Sequence, residues 1–183
     1  MCGIGGYINY DFSEVKWSRI LNESCENLAH RGPNSKGIYY NTDEKIGLYH
    51  TRLSILDIND RSNQPFFSKD KSKILIFNGE IYNYKELKKN LQDKNIEFTT
   101  NSDTEVLLEL INYFGINDAL NKIDGMFSFA YYDKLKKKIF LARDRLGEKP
   151  LIYHFNNNRF LFCSEIKNNN ELEDHKLDID WKK

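Results

Sequence analysis

The sequence predicts an α+β fold in which mainly antiparallel sheets pack against helices. Three observations support this prediction: short runs of alternating or β-branched and aromatic residues, their arrangement as consecutive hairpin pairs, and a few segments with helical spacing. Strands that follow each other as hairpins pair antiparallel, whereas parallel strands need a long crossover between them. With 183 residues and 40% hydrophobic content, the chain suits a single domain with a real core.

The first third is predicted as a strand, a helix and a hairpin. Residues 3–10 alternate isoleucine and glycine on one side, which is typical of a strand that another backbone approaches closely. Ser13 is a candidate N-cap for a helix with apolar residues at helical spacing, which Arg31-Gly32-Pro33 ends. Residues 37–40 and 45–52 then read as two strands joined by a turn.

The middle of the chain is predicted to contain a strand, a tight turn and two helices. Residues 73–77 form a β-branched and aromatic run that enters Asn78-Gly79, a strong turn signal. A short helix is expected over residues 84–91. Ser102-Asp103-Thr104-Glu105 has the pattern of a capping box and opens a further helix over residues 106–114.

Four more strands are expected in the last third, at residues 126–132, 138–143, 151–155 and 159–163. The prediction is thus about eight strands and three or four helices. Residues 168–183 are rich in asparagine and acidic side chains and read as a linker. We therefore expect one domain over residues 2–167.

Composition excludes several classes of function. The 27 basic and 27 acidic side chains cancel, which disfavours nucleic acid and anionic membranes as partners. No apolar run approaches the roughly 20 residues needed to span a bilayer, and no secretory signal is recognisable. Three widely spaced cysteines fit neither a disulfide framework nor a zinc site, so we expect reduced thiols in a cytoplasmic protein without a bound metal.

Cys2 is the most informative single residue. Removal of Met1 ahead of a small residue would leave a thiol and a free α-amine on one residue, a nucleophile and a base together. The ordinary pKa is about 8.5 for the thiol and ~7.7–8.0 for the α-amine, so each group is partly deprotonated near neutral pH. A chance cysteine at this position is the alternative. Gly3 and the following strand favour the nucleophile, because they place it at a sheet edge with room for a substrate.

Seven motifs occur in the order found in one known family. They are Cys2-Gly3-Ile4-Gly5-Gly6, His30-Arg31-Gly32-Pro33, Arg52-Leu53-Ser54-Ile55-Leu56-Asp57, Asn78-Gly79-Glu80-Ile81-Tyr82-Asn83, Ser102-Asp103-Thr104-Glu105, Gly125-Met126-Phe127-Ser128-Phe129-Ala130 and Arg143-Asp144-Arg145-Leu146-Gly147-Glu148-Lys149-Pro150. Together they resemble the glutaminase domain of glutamine-hydrolysing asparagine synthetases, a class II glutamine amidotransferase with an N-terminal-nucleophile hydrolase fold. The resemblance covers residues 2 to about 167 and implies a four-layer αββα sandwich.

The resemblance implies a mechanism for hydrolysing L-glutamine to glutamate and ammonia. Cys2 would attack the side-chain amide and form a γ-glutamyl thioester, while its own α-amine transfers the proton. Asn78 and Gly79 would form the oxyanion hole, one donating from its side-chain amide and the other from its backbone N–H. We expect a tight turn at the end of a strand to aim both donors. A plain hairpin turn without a catalytic role is the alternative for this pair.

The resemblance also implies how free glutamine is recognised. Arg52 and Asp103 match the positions that bind the α-carboxylate and the α-ammonium, and the planar guanidinium suits a carboxylate. Glu80 would assist, and backbone groups near Leu53 and Ile55 would line the same pocket. Asp103 has an alternative role, because aspartate in the first turn of a helix is favoured by the helix dipole.

Other conspicuous residues are expected to matter less. His50 adjoins the Arg52 strand, but a Cys–His dyad is disfavoured because the terminal amine already supplies the base. Family members more often have aspartate where this chain has Asn34. Arg31-Gly32-Pro33 is either a helix stop or part of a pocket wall or interface, and residues 143–150 are expected to form a structural turn or to face an acceptor domain.

The expected partners are L-glutamine and an ATP-dependent synthetase domain, either C-terminal or separate. The sequence contains neither a Ser-Gly-Gly-x-Asp-Ser motif nor a phosphate-binding loop, so ATP and Mg are expected only for that missing domain and no cofactor for the glutaminase domain. Residues 168–183 would be a linker or the start of the missing domain. A homodimer is left open.

Two alternatives to an asparagine-synthetase-type enzyme remain. The ammonia could go to another acceptor, such as a sugar precursor in polysaccharide biosynthesis, which only the acceptor domain's own sequence would decide. The chain could also be a non-catalytic relative that binds or regulates. The complete set of predicted catalytic residues argues against this second alternative.

Overall fold

The computed structural model describes residues 1–166, which fold into two stacked antiparallel sheets enclosed by helices. The nine strands are β1 (Gly3–Ile8), β2 (Ser35–Asn41), β3 (Ile46–Arg52), β4 (Phe66–Phe67), β5 (Lys73–Ile81), β6 (Gly125–Asp133), β7 (Lys138–Arg143), β8 (Ile152–Asn156) and β9 (Arg159–Cys163). The four α-helices are α1 (Glu14–Asn27), α2 (Tyr84–Gln92), α3 (Asp103–Phe114) and α4 (Ile116–Lys122). The predicted linker over residues 168–183 lies outside the described residues.

Each sheet is fully antiparallel. The first has the strand order β2-β3-β1-β9-β8, and β1 pairs with β3 so that Gly3 lies opposite Thr51. The second has the order β4-β5-β6-β7, in which β5 and β6 pair along their whole length from Lys73–Asp133 to Ile81–Gly125. β4 covers only the start of the outer edge of β5, opposite Ile74 and Leu75.

Three apolar layers hold the sandwich together. One lies between α1 and the first sheet, and its largest member is the fully buried Trp17. A second lies between the two sheets and includes Ile4, Leu48 and Ile76. The third lies between the second sheet and α2, α3 and α4, where Leu107 is among the buried residues. The arrangement is therefore αββα, and the predicted fold class is confirmed.

Most predicted elements are present, often with matching ends. The expected β2–β3 hairpin and the strands over residues 138–143 and 159–163 form. Only the Ser102 half of the predicted capping box forms at α3, because the Glu105 carboxylate accepts from the Thr99 and Thr100 N–H groups and the Ser102 N–H donates to Thr100. The Ser102 hydroxyl accepts from the Glu105 N–H, and Gly115 ends α3 with φ +82°. The sequence missed β4, which has two residues, and α4, in which Ala119 is the buried residue.

The prediction of a tight turn at Asn78-Gly79 is wrong. Both residues lie inside β5, opposite Ser128 and Phe127 of β6, and the strand continues to Ile81. Pairing with a strand nearly 50 residues later in the sequence overrides the local preference of Asn-Gly for a turn. The two residues are thus held by a sheet ladder, which is a stiffer support than a turn.

The turn over residues 143–150 has the structural role that the sequence suggested. The Asp144 carboxylate accepts hydrogen bonds from the backbone N–H groups of Phe127, Glu148 and Lys149, over 2.8–3.2 Å. Although burial acts in the opposite direction, these bonds lower the pKa of Asp144. No helix within residues 1–166 combines the length and the apolar character that crossing a bilayer requires.

Candidate active site

A cavity of about 260 Å³ lies where β1 begins and β3 ends. Since a water molecule occupies roughly 30 Å³ in the liquid, this volume suits a ligand of about ten non-hydrogen atoms. All of the predicted site residues contribute to its lining. The lining residues are Met1, Cys2, Arg52, Leu53, Ile55, Leu56, Gln64, Phe77, Asn78, Gly79, Glu80, Ser102, Asp103, Thr104, Met126 and Lys149.

Cys2 is placed by the pairing of β1 with β3. Gly3 lies opposite Thr51, so Cys2 falls beside the end of β3, where Leu53 follows. The Leu53 N–H donates a hydrogen bond to the Cys2 sulfur over 3.3 Å. The predicted involvement of the Leu53 backbone in the pocket therefore has a direct geometric basis, and Ile55, which is 71% exposed, lies at the rim.

In the chain that retains Met1, the environment of Cys2 favours the protonated thiol. Burial raises the pKa of this thiol above its ordinary value, and the Asp103 carboxylate raises it further. The Leu53 N–H, the ammonium group of Met1 and the Arg52 guanidinium act in the opposite direction without cancelling the effect of burial. The sulfur therefore needs a base before it can attack, since the thiolate is the nucleophilic form.

Arg31 holds the backbone of Cys2, a contact that sequence reasoning did not identify. Its Nε donates to the Cys2 carbonyl oxygen over 3.0 Å. Its Nη1 pairs with the Glu165 carboxylate at 3.0 Å, and His30 Nε2 lies 2.9 Å from the same oxygen. The helix-stop reading of Arg31-Gly32-Pro33 does not describe the structure, because α1 already ends at Asn27. Residues 31–33 do not line the cavity, so the pocket-wall reading is not supported either, and the interface reading stays a prediction.

Asn78 offers a donor that nothing in the described part of the chain occupies. The residue is 1% exposed, and its side-chain Nδ2 has no hydrogen-bond partner within residues 1–166. Buried donors are almost always paired in folded proteins, so an open one beside a cavity points to a ligand group. Asn78 and Cys2 line the same cavity.

The backbone N–H of Gly79 faces the free edge of β5. The Phe77 N–H and the Ile81 N–H both bond to side chains on that edge, at 2.6 Å to Gln64 and 3.1 Å to Asp103. Peptide groups alternate sides along a strand, so the intervening Gly79 N–H points the same way. A side chain at Gly79 has no room, because its Cβ would lie 2.4 Å from the Met126 carbonyl oxygen.

Asp103 is a buried carboxylate at the start of α3. It is 5% exposed, and its Oδ2 accepts from the Ile81 N–H. Burial raises its pKa to about 6, with the nearby Glu80 carboxylate acting in the same direction and hydrogen bonds from backbone N–H groups acting against it. Two carboxyl groups facing one cavity create a site for a cation such as an ammonium group. Asp103 and Glu80 both line the same cavity as Cys2, as the resemblance implied.

The Arg52 guanidinium organises the loop that follows β3. Its two terminal nitrogens donate to the carbonyl oxygens of Leu56, Asp57 and Asn59 and to the Asn63 side chain, over 2.5–3.2 Å. The residue is 5% exposed and keeps its positive charge beside the cavity. A bidentate grip on a carboxylate would require some of these carbonyls to be released, so the predicted fork-to-carboxylate contact stays a prediction.

The same loop is tied to the start of α3. The Asp57 carboxylate, 1% exposed, accepts from the Asn101 N–H over 2.7 Å and pairs with Arg61 at 3.1 Å. Burial opposes ionisation here, but hydrogen bonds from Asn101, Asn59 and Arg61 outweigh it and lower the pKa of Asp57. The loop therefore links the Arg52 and Asp103 sides of the cavity.

His50 has no part as a base. It is fully buried, its Nε2 lies 3.1 Å from the Phe77 carbonyl oxygen, and burial lowers its pKa to about 3. The imidazole therefore stays neutral at physiological pH and donates its Nε2 proton to that carbonyl. Asn34 bonds through its side-chain oxygen to the Ser54 N–H over 2.9 Å. An aspartate at position 34 could accept in the same way.

Gln64 is the main cavity residue for which the sequence carried no signal. It lies in a polar stretch that resembles an ordinary loop, yet it is 7% exposed and bonds to both β5 and α3. Met126 and Lys149 also line the cavity and were not predicted. A contact that depends on two elements meeting in space leaves no local pattern to detect.

Comparison with known proteins identifies the family to which this chain belongs. Residues 1–183 match the family described as "Glutamine amidotransferase domain". The chain belongs to the glutamine amidotransferase domain family. The predicted family is thereby confirmed, and the glutamine amidotransferase domain has the N-terminal-nucleophile hydrolase fold that the resemblance implied.

Similar proteins support the same assignment. This glutamine amidotransferase domain is 40% identical over 183 residues to "Putative asparagine synthetase [glutamine-hydrolyzing] 2" of Methanocaldococcus jannaschii, covering 91% of this chain and 34% of that protein. It is 44% identical over 169 residues to "Asparagine synthetase [glutamine-hydrolyzing] 2" of Bacillus subtilis, covering 91% of this chain and 22% of that protein. The chain thus spans about a third or less of the relatives it matches.

A solved structure shares the fold at low sequence identity. The glutamine phosphoribosylpyrophosphate amidotransferase of B. subtilis superposes with a TM-score of 0.77 at 22% identity, covering 92% of this chain and 43% of that one. At this identity the likeness establishes the αββα architecture and nothing about substrate.

Proposed function

We propose that this domain hydrolyses free L-glutamine to glutamate and ammonia through a γ-glutamyl thioester on Cys2. The observation that carries the proposal is the meeting of three groups at one cavity: the Cys2 thiol, the unoccupied side-chain amide of Asn78 and the outward-facing N–H of Gly79. A nucleophile opposite two hydrogen-bond donors is the arrangement that amide hydrolysis needs.

The reaction begins once Met1 has been removed, so that Cys2 carries the terminal amine. That amine takes the thiol proton as the sulfur attacks the amide carbon of glutamine. Asn78 and Gly79 donate to the oxygen that becomes negative. The proton then passes to the departing nitrogen, the carbon–nitrogen bond breaks and ammonia leaves. Water, deprotonated by the same amine, cleaves the thioester to glutamate and regenerates the thiol.

The charges around the cavity select an amino acid as substrate. Asp103 and Glu80 supply negative charge for the α-ammonium, and Arg52 supplies positive charge for the α-carboxylate. Backbone groups of Leu53 and Ile55 line the same space. A group bearing both charges at fixed separation fits this cavity better than a simple amide does.

We further propose that the ammonia goes to an ATP-dependent, asparagine-synthetase-type acceptor domain. The part that matches this chain makes up 34% and 22% of the two relatives named as glutamine-hydrolysing asparagine synthetases, so most of each relative lies outside it. ATP and Mg²⁺ would serve that acceptor domain, and hydrolysis within residues 2–167 would use neither. Residues 168–183 would connect the two.

The test is ammonia and glutamate release from glutamine by the full-length gene product, after intact-mass analysis has established the loss of Met1. Cys2→Ala should abolish release and leave the unfolding transition unchanged, whereas Cys25→Ala should retain release. Cys25 and Cys163 are each 1% exposed and burial raises the pKa of each to about 11, so an alkylating agent should label Cys2 first. Turnover without a trappable acyl adduct on Cys2 would refute the thioester.

A further inference from the structure

The outer edge of β5 lacks a neighbouring strand beyond Leu75, and side chains occupy the places where that strand would bond. The Phe77 N–H donates to Gln64 Oε1 over 2.6 Å, and the Phe77 carbonyl oxygen accepts from His50 Nε2 over 3.1 Å. Further along, the Ile81 N–H donates to Asp103. Between these two capped positions lies Gly79, whose N–H is left facing the cavity.

We propose that His50 and Gln64 are positioning residues of the oxyanion hole, which clamp the carbonyl oxygen and the N–H of Phe77 on the outer edge of β5 and thereby fix Asn78 and Gly79 relative to Cys2. The inference rests on the proposed function, because it assigns these residues to the geometry of the hydrolytic step. Neither residue is a chemical participant. Both polar ends of the Gln64 side chain are engaged within the protein, and His50 is fully buried.

The clamp joins the elements that carry the catalytic groups. His50 lies on β3 opposite Ile4 of β1, two residues along the strands from both Arg52 and Cys2. Gln64 Nε2 donates to Thr104 Oγ1 over 3.3 Å, directly after Asp103 in α3. Phe77 is therefore tied through its carbonyl oxygen to β3, which pairs with the strand that follows Cys2, and through its N–H and Gln64 to the helix that begins at Asp103.

Burial gives these contacts their strength. His50 is 0% exposed and Gln64 is 7% exposed, so losing either partner leaves a backbone group of Phe77 buried without a hydrogen bond. The strand can recover that bond only by moving toward another partner. Because Asn78 and Gly79 directly follow Phe77, such a movement displaces both oxyanion donors. A misplacement of about 1 Å in an active site can cost on the order of 100-fold in rate.

The test compares His50→Leu and Gln64→Met with the wild type in the full-length, Met1-free gene product. We expect kcat for glutamine to fall by about 10- to 100-fold while KM changes less than about twofold. The affinity for L-glutamate γ-semialdehyde, the aldehyde analogue of glutamine that adds the Cys2 thiol across its carbonyl, should weaken by the same factor as kcat. Alkylation of Cys2 by iodoacetamide, which needs no oxyanion hole, should keep its rate.

Gln92→Met is the matched control, since Gln92 lies exposed on α2, and it should behave as wild type. A purely structural role would lower the melting temperature without this selective loss of kcat and aldehyde affinity. Folded variants that keep kcat within about threefold of the wild type, or that lose alkylation rate in step with kcat, would overturn the positioning role. If the wild type itself releases no ammonia, the proposed function fails instead.

A second pair of variants decides the matter even if His50→Leu and Gln64→Met do not fold. His50→Gln keeps an amide donor near the Nε2 position, and His50→Asn carries the same amide one carbon shorter. We expect kcat of His50→Gln to exceed that of His50→Asn by about tenfold or more, because only the longer side chain reaches the Phe77 carbonyl. Equal kcat values in these two variants would contradict the clamp.

Discussion

The backbone N–H of Leu53 donates to the sulfur of Cys2 over 3.3 Å, so the residue that follows β3 supplies a hydrogen bond to the thiol that precedes β1. This donor stabilises the thiolate, yet burial has the larger effect and raises the pKa of the thiol. The resting sulfur is therefore protected as a thiol. Under the proposed function, the base that activates it is the α-amine of Cys2, which removal of Met1 exposes.

Glutamine affinity should depend on pH through Asp103. Burial raises the pKa of this carboxyl group to about 6, and only its ionised form can pair with the substrate's ammonium group. We therefore expect kcat/KM for glutamine to fall by about tenfold for each pH unit below 6, with the change appearing in KM. Steady-state kinetics from about pH 5 to about pH 8, which brackets the pKa of Asp103, would measure this change in KM.

Asp118→Asn provides the matched control for this pH profile. Asp118 is an exposed aspartate in the first turn of α4, so its replacement should leave the profile unchanged. A KM that stays constant from pH 8 to well below the pKa of Asp103 would contradict the assignment of the ammonium site.

Replacing the same carboxylate should stabilise the fold. Asp103 has an ordinary pKa of 3.8, raised to about 6 in the folded state, so its contribution to stability is fully present below pH 3.8 and is lost as the pH rises to about 6. Asp103→Asn should therefore raise the free energy of unfolding at pH 8 by about 1–3 kcal/mol while weakening glutamine binding. Denaturant titrations at pH 8 and near pH 3.5 would show the gain at the higher pH alone. An equal gain in the free energy of unfolding at both pH values would show that the ionisation of Asp103 is not the cause.

Gly79→Ala should damage both fold and catalysis. The added Cβ would lie 2.4 Å from the Met126 carbonyl oxygen, so β5 and β6 must separate locally at a cost of about 1–3 kcal/mol. We expect kcat for glutamine to fall at least about tenfold, because the Gly79 N–H moves with the strand. Thermal unfolding and steady-state kinetics measure the two effects.

Gly115→Ala separates those two effects. Gly115 has φ +82° and ψ 165°, a conformation that disfavours alanine by about 1–3 kcal/mol, and it lies outside the cavity lining. Its stability loss should resemble that of Gly79→Ala while kcat stays at the wild-type value. A similar loss of kcat in both would attribute the defect of Gly79→Ala to instability.

Arg52→Ala should weaken glutamine binding by about 2–4 kcal/mol, because it removes one partner of a buried charge pair with the substrate carboxylate. Arg52→Lys restores the charge but not the planar arrangement that bonds to Leu56, Asp57, Asn59 and Asn63. We therefore expect KM to rise in both variants, with only partial recovery for lysine. Arg19→Ala, an exposed position on α1, is the control. An unchanged KM in Arg52→Ala would exclude this residue from substrate binding.

The sequence predicted elements whose own residues contain the signal. β7 and β9 have the predicted bounds because a β-branched or aromatic run ends at polar turn residues on each side. β4 has two residues, too few for a periodic pattern. At Asn78-Gly79 the local turn preference was strong, and the distant pairing with Ser128 and Phe127 decided the outcome.

The candidate site likewise contains residues that have a local sequence signal and residues that have none. Cys2 could be proposed as a nucleophile because a terminal cysteine carries both a thiol and an amine, and the family motifs pointed to Arg52, Asp103 and Asn78, which line the same cavity. Gln64 could not be identified, because its role depends on β5 and α3 meeting beside it. Residues that position others leave no motif of their own.

The capped edge of β5 has a consequence for behaviour in concentrated solution. An exposed strand edge is a template on which another molecule can add a strand, and this is a common route to aggregation. Here His50, Gln64 and Asp103 have already taken the hydrogen bonds that an incoming strand would need, and the remaining Gly79 amide lies in a recess sized for a small molecule. The features that shape a binding cavity thus also keep neighbouring copies from extending the sheet.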